Sequence, residues 1–288
     1  MTAFNTDVKN KELWYFNLVA VPGEYSTTGI STIINFCENT RGDCFAMVDS
    51  PAGLDSDQIV DWSNGVGNLG NTVKFNSSFG ALYWPWFSGS NPDTGTVLPY
   101  PTSVYMPAIY AKSDNDFDPW YPPAGAQRGR IAGVFLDTEM SPEIDKRDIM
   151  YGKPGNNVNP IVTFKAQGTL VWGQKTLLRS SSALDRVNVR RMVLYAEKGI
   201  VDIAQPLLFE LNTPSIWQSF TEKANKFLAD IQVRGGLTDF LVVCDATTNT
   251  PDVIDQNRLV GKIFLKPVKS IEVIDLYFNI TSAGGSFT

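Results

Sequence analysis

The first third of the chain alternates strand-like and helix-like stretches, and that order narrows the possible folds more than any other feature. Leu13–Val21 is an aromatic and β-branched run ended by Pro22-Gly23, the pattern of a buried strand. Residues 28–38 set Ile30, Ile33, Ile34 and Cys37 at helical spacing. Cys44–Val48 reads as a second short strand closed by Asp49-Ser50-Pro51, Leu54–Trp62 as a short helix, and Phe79–Trp84 as a third strand. Strands separated by helices pair side by side in parallel, because the helix carries the chain back across the sheet. This β-α-β-α-β order predicts a mainly parallel sheet covered by helices.

Between Ser88 and Pro123 the chain is rich in Pro, Gly, Asn and Asp and reads mostly as ordered loop, with a short helix over 104–112. Ser141-Pro142 has the N-cap and first-turn proline of another short helix. The Gly and Asn cluster over 152–159 marks the expected domain boundary, dividing the chain into 1–155 and 156–288. Beyond it, Ile161–Phe164 and Thr169–Trp172 read as strands. Val187–Ala204 reads as an amphipathic helix with Val189, Val193, Ala196, Ile200 and Ile203 on one face. Thr213-Pro214 opens a second helix whose stripe runs Ile216, Phe220, Ala224, Phe227, Ile231 and stops at Gly235-Gly236. Phe240–Cys244, Leu259–Leu265 and Ile271–Ile280 complete the pattern as strands. In the last, Ile274, Leu276, Phe278 and Ile280 alternate against Glu272, Asp275 and Asn279. A strand of that length, followed by Gly284-Gly285, can reach beyond its own domain.

Composition then bounds the chemistry. With 288 residues, 43% hydrophobic and 19% charged, the chain can bury one large core or two smaller ones. A net charge of −6 argues against free nucleic acid as a partner. Residues 1–140 carry 7 Lys/Arg against 15 Asp/Glu (net −8), and 141–288 carry 17 against 15 (net +2), so the second half is the better candidate for touching something acidic. Cys37, Cys44 and Cys244 have no metal-ligand spacing and read as reduced, mostly buried thiols. No signal peptide or spanning apolar run is visible, so the sequons at Asn76 and Asn279 carry no weight and the chain reads as soluble and made in cytosol.

There is no histidine, which removes Ser-His-Asp and Cys-His catalysis and the commonest zinc ligand. Gly65-Val66-Gly67-Asn68-Leu69-Gly70 has the spacing of a dinucleotide fingerprint but lacks a strand before it and a helix opening within it, so it reads as a glycine loop. Asp114, Asp116 and Asp118 begin like a calcium loop, yet Pro119 and Gly125 stand where glycine and glutamate are needed, leaving a solvated acidic turn. Arg186, Arg190 and Arg191 at a helix start form either a basic patch or a solvated face. The cluster Tyr83-Trp84-Pro85-Trp86-Phe87 reads as a strand end packing into the core rather than a ligand platform.

Several of these segments, in order, resemble the contractile tail sheath family. Leu18-Val19-Ala20-Val21-Pro22-Gly23 is similar to that family's first core strand and turn, and Ala81-Leu82-Tyr83-Trp84-Pro85-Trp86 to its aromatic-aromatic-Pro-Trp segment. Residues 107–115, then Pro119-Trp120-Tyr121-Pro122-Pro123-Ala124-Gly125, resemble its Trp and Pro-Ala-Gly signature. Asn159-Pro160-Ile161-Val162, Gly173-Gln174-Lys175-Thr176-Leu177, Val187-Asn188-Val189-Arg190-Arg191 and Phe209-Glu210-Leu211-Asn212 follow in the expected places. Cys244-Asp245, Pro251-Asp252-Val253-Ile254-Asp255 and Lys266-Pro267 are most similar to the sheaths of large contractile-tailed phages.

The resemblance implies a mixed-sheet α/β domain of the subtilisin-like sheath type, followed by a C-terminal α+β domain with terminal strands. It implies no enzyme activity, catalytic residue, metal or cofactor. The expected role is a structural subunit of a phage tail, made in the host cytoplasm. It would stack with itself as hexameric rings around a tail tube and meet baseplate and tail terminator proteins, with no membrane or direct nucleic-acid contact. Contraction would drive the tube through the host envelope. Terminal strands join neighbours in that family, so Ile271, Val273, Ile274, Leu276, Phe278 and Ile280 are the expected inter-subunit strand. The charge asymmetry makes Lys146, Arg147, Lys223, Lys226 and Arg234 candidates for facing an acidic tube. Two alternatives stay open: a sheath of a phage-tail-derived bacterial injection system, and a small α/β nucleotide-acting enzyme. The first core strand begins about a dozen residues in and no inserted peripheral domains are visible, which reads as a trimmed, proteolytic-core or compact sheath.

Overall fold

The computed structural model describes residues 8–91, 93–132 and 142–273. The predicted alternation is realised as β1 (Leu18–Ala20), α1 (Thr27–Asn35), β2 (Phe45–Val48), α2 (Ser56–Ser63) and β3 (Gly80–Trp84). A hairpin β4 (Phe87–Ser90) and β5 (Val97–Tyr100) follows, then α3 (Met106–Asp116), β6 (Arg130–Ile131), β7 (Val158–Phe164) and β8 (Gly168–Val171). Six of these strands make one sheet in the order β1-β2-β3-β7-β8-β6. The first four run parallel, while β8 is antiparallel to β7 and β6 to β8, so the sheet is mixed. Strands β2 and β3 are buried at every residue, as central parallel strands must be when both faces are covered. Each Phe, Leu, Met or Val they bury contributes about 1.5–3 kcal/mol.

Local chemistry sets the helix ends. Ser26 Oγ accepts from the Gly29 amide at 3.1 Å and starts α1, whose Ile30, Ile33 and Ile34 are buried as the spacing predicts. The chain continues as a wide turn over Phe36–Arg41 and is stopped by Gly42 at φ +75°, a left-handed conformation that glycine adopts without a Cβ clash. Asp55 caps α2 in a reciprocal capping box with Gln58. At the C-terminal end of β2, the buried Asp49 carboxylate accepts from Gly23 N (3.0 Å), Thr102 Oγ1 (2.9 Å), Ser103 N (2.9 Å) and Ser103 Oγ (2.5 Å). One side chain thus ties the turn after β1 and the segment before α3 to the central sheet.

Several expectations are corrected. Only Leu18–Ala20 of the predicted strand 13–21 pairs, and Leu13, Trp14 and Tyr15 are exposed. The guanidinium of Arg41 holds that stretch instead, donating to Val8 O (2.7 Å) and Trp14 O (2.9 Å) beside Asp43. The stretch 88–123 contains the β4–β5 hairpin, which its Pro and Gly content concealed. The helix expected from Ser141-Pro142 starts instead at Ile144, with Glu143 at its N-cap position, and runs from Ile144–Arg147 into a wide helical turn over Asp148–Gly152. The Gly and Asn cluster at 152–159 leads straight into β7, whose Leu82↔Val158 pairing makes it part of the first sheet. The aromatic cluster, by contrast, packs into the core as expected: Tyr83, Trp84 and Phe87 are buried.

The second half builds a separate hydrophobic cluster from α4 (Val187–Ala204), α5 (Pro214–Val233), β9 (Leu237–Val243) and β10 (Lys262–Pro267). Residues 172–186 form a strap between the two clusters. Asn159 Nδ2 donates to Leu82 O (3.0 Å) and Lys175 O (2.8 Å), and its Oδ1 accepts from Lys175 N (2.6 Å). Asn157 Nδ2 reaches Thr176 O and Leu178 O, and Arg179 reaches Phe75 O, Ser63 O, Gly155 O and Asn64 Oδ1. Buried amides of this kind fix position because leaving one unpaired is costly. Replacing Asp49 with Ala strands two backbone N–H groups and should cost about 2–5 kcal/mol, against about 1–2 kcal/mol for Asp49→Asn. Urea unfolding monitored by Trp fluorescence measures both, and equal midpoints for the two variants would refute the assignment.

Candidate inter-subunit surface

In α5 the buried positions are Trp217, Phe220, Ala224, Leu228 and Ile231, a stripe turned slightly from the expected one, with Ile216 and Phe227 only partly buried. Gly235 at φ +83° ends the helix, and a Cβ on Gly236 would lie 2.6 Å from Ile231 Cγ2, so the chain can turn tightly into β9 only with glycine there. Strands β9 and β10 pair antiparallel with Leu241 opposite Phe264 and Asp239 opposite Lys266. The alternate residues Phe240, Val242, Ile263 and Leu265 pack into the second cluster.

The other face is open. Leu241 and Phe264 lie side by side, each 56% exposed, with Asp239, Lys262 and Lys266 around them. Among the described residues this sheet has two strands, so each has a hydrogen-bonding neighbour on one side only. A two-stranded ribbon with both outer edges unpaired and an apolar face is a template for further strands.

The expected inter-subunit strand is described only at its start. Ile271 and Val273 are exposed and lie in no strand, while Ile274, Leu276, Phe278 and Ile280 lie outside the described residues. Between Ile271 and Val273, the Glu272 carboxylate docks against the strap: Arg186 Nε donates to Oε1 at 2.7 Å and Arg186 Nη2 to Oε2 at 2.9 Å. Tyr151 OH and Gln174 Nε2 also donate to Oε1, at 2.9 and 3.1 Å. Burial pushes the Glu272 carboxyl up, but the hydrogen bonds and charge of Arg186, with Tyr151 and Gln174, outweigh it and hold the group below the usual carboxylate range. Burial, then the Glu272 charge, raise the Tyr151 phenol, so it stays a donor. Alternation marked Glu272 only as a polar-face residue, and no sequence spacing links it to positions 151, 174 and 186.

The five basic candidates separate. Lys146 is paired with Asp57 at 2.5 Å, and Arg147 lies over the Phe164 ring at 5.5 Å. Arg234 bonds Asp118 and pairs with Asp230 at 3.1 Å. Lys223 and Lys226 stand exposed, one turn apart on α5. Arg190 and Arg191, read as a patch or a solvated face, are instead buried: Arg190 over the Phe79 ring at 3.6 Å, Arg191 over Tyr110 and bonded to Asp114 at 2.8 Å. The three aspartates of the calcium-like spacing face three different cations, Asp114 to Arg191, Asp116 to Lys112 and Asp118 to Arg234. The Gly65–Gly70 loop follows α2 rather than a strand, with Gly65, Gly67 and Gly70 at φ +68°, +77° and +83°.

Comparison with known proteins bears on the same segments. Residues 3–177 match the family described as the phage tail sheath protein central domain, and 179–281 the phage tail sheath C-terminal domain. The chain is 32% identical over 304 residues to the tail sheath protein of Vibrio phage KVP40, covering 97% of this chain and 44% of that protein. It is 28% identical over 261 residues to the tail sheath protein of Enterobacteria phage T4, covering 86% and 38%. It therefore spans less than half the length of these two relatives. Among solved structures, the sheath complex of the PVC extracellular contractile injection system in its contracted state superposes with a TM-score of 0.81 at 23% identity, over 98% of this chain and 75% of that one. A family match across both halves, on the same ordered segments, settles membership: the chain belongs to the phage tail sheath family.

Proposed function

We propose that this chain is the body of a contractile tail sheath subunit, stacking as six-fold rings around a tail tube and shortening to drive that tube through an envelope. The observation that carries the reading is the β9–β10 ribbon, whose outer edges are unpaired among the described residues and whose Leu241–Phe264 face is exposed. Copies would join by adding strands to it, so that backbone hydrogen bonds keep rings connected while rigid bodies slide. The stretch from Ile271 onward is the proposed donor strand. The two hydrophobic clusters are the proposed structural units, with β7 and β8 on the first side. The work of contraction would come from new contacts between subunits rather than from a reaction, and the protein is read as non-enzymatic. Baseplate and tail terminator proteins are the expected partners at the sleeve's ends, and the virion tail is its expected place.

The higher identities to phage sheaths support a virion component. The fold likeness to an injection-system sheath supports a second reading, a phage-tail-derived bacterial device of the same mechanics. Of the basic candidates, Lys223 and Lys226 are best placed for an acidic tube, because Lys146 and Arg234 already pair with carboxylates of this chain.

Electron microscopy of the chain expressed with its tube should show hollow sleeves with six-fold end views. Monomers that instead bind a nucleotide saturably would favour an enzyme. Joint replacement of Leu241 and Phe264 by Lys should abolish sleeves while moving the unfolding free energy by no more than about 0.5 kcal/mol, because both sites are on an open surface. Reversing Lys223 and Lys226 to Glu should prevent tube-templated assembly without loss of stability. Unchanged assembly would remove them from the tube contact.

A further inference from the structure

We propose that Glu272, Arg186, Tyr151 and Gln174 form a clasp, which anchors the chain where it leaves β10 and keeps tension from peeling β10 off β9. The inference deepens the strand-exchange reading above and rests on it for the source of the tension.

The weak point is the C-terminal end of β10. Its register shifts between Lys266 and Pro267, and Pro267 has no N–H to give to the ladder. With β9 its sole described neighbour, β10 pulled from that end would open pair by pair, starting where the pairing is poorest. Five residues after Pro267 the chain is fastened to a different part of the molecule. The Glu272 carboxylate takes two parallel bonds from Arg186, at 2.7 and 2.9 Å, and further bonds from Tyr151 and Gln174. Gln174 Nε2 also donates to Ser270 Oγ at 2.5 Å. Bidentate Arg–carboxylate pairs are among the strongest and most directional polar contacts.

The partners are themselves held. Arg186 opens α4 and also pairs with Asp185 at 3.0 Å. The Tyr151 hydroxyl accepts from Gln174 N at 3.3 Å, and Lys175 lies over the Tyr151 ring at 4.8 Å while bonding its carbonyl. Force arriving through residue 273 would therefore pass into the strap, the turn containing Tyr151 and the start of α4, by stretching several bonds at once. These four side chains are positioning residues, since they hold the outgoing backbone.

The test is single-molecule pulling on the full chain through tags at its two termini, with hydrogen exchange on the same proteins. Wild type should show a first rupture at least two-fold higher in force than Glu272→Gln. That variant should exchange at least ten-fold faster across 262–273, with β2, β3 and α5 unchanged. The charge-swapped pair Glu272→Arg with Arg186→Glu should recover part of the rupture force. Unchanged force and exchange in Glu272→Gln would overturn the clasp. So would faster exchange throughout the molecule, because that would mean a general loss of stability rather than a local anchor. The pulling needs no assembled sleeve, so failure of the wild-type chain to polymerise would count against strand exchange and leave the clasp result separate.

Discussion

The two hydrophobic clusters of this protein meet along α4, which gives Val187 and Leu194 to one and Met192 and Ala196 to the other, and across polar groups that have to be satisfied. Asn157 and Asn159 stitch the strap to β7, and Arg179 fills its guanidinium with carbonyls from α2 and the loops beside it. On the other side of the junction Asn188 donates to Trp120 O, Trp120 Nε1 donates to Arg234 O, and Arg191 is clamped by Asp114 beneath Tyr110. An apolar contact tolerates sliding, whereas a buried amide or guanidinium is stable only in register with its partners. The relative placement of the two clusters is over-determined for this reason.

That rigidity suits the proposed mechanics. A subunit that moves as one body transmits displacement to its neighbours only if its own junction does not yield, and only if its links to them survive the motion. The junction supplies the first condition through its buried polar network. The β9–β10 ribbon offers the second, since strand addition is backbone bonding that does not depend on side-chain surfaces staying in contact. Glu272 connects the two, because it fastens the exit from the ribbon to the junction itself.

Much of the first sheet was readable in order because parallel strands announce themselves as apolar runs between helices, as Phe45–Val48 and Gly80–Trp84 do. Leu13–Tyr15 misled the reading, since an aromatic run is apolar whether it enters a sheet or is held outside it, and Arg41 decides which. The β4–β5 hairpin was hidden because its Pro99 and Gly89 are poor strand formers by propensity and are accommodated only by the pairing itself. Arg190 and Arg191 carry no local signal of burial, since nothing in the neighbouring sequence distinguishes an arginine facing water from one facing Phe79 or Tyr110. The candidate surface was legible as a tendency, in the late strands and the positive second half, and illegible in detail, because Lys146 and Arg234 find acidic partners 89 and 116 residues away.

By itself the sequence determined the alternation of the first three strands with helices, the parallel core, the absence of histidine chemistry and, through its ordered motifs, the family. These depend on local periodicity, on composition or on linear order, all of which a chain carries before it folds. Tertiary structure decided which charges are spent inside the protein, which apolar residues remain for partners, and that Glu272 ends as an anchor rather than as one polar tooth of a strand. Those outcomes depend on which distant groups meet, and burial attaches an energy to each meeting that no local pattern encodes.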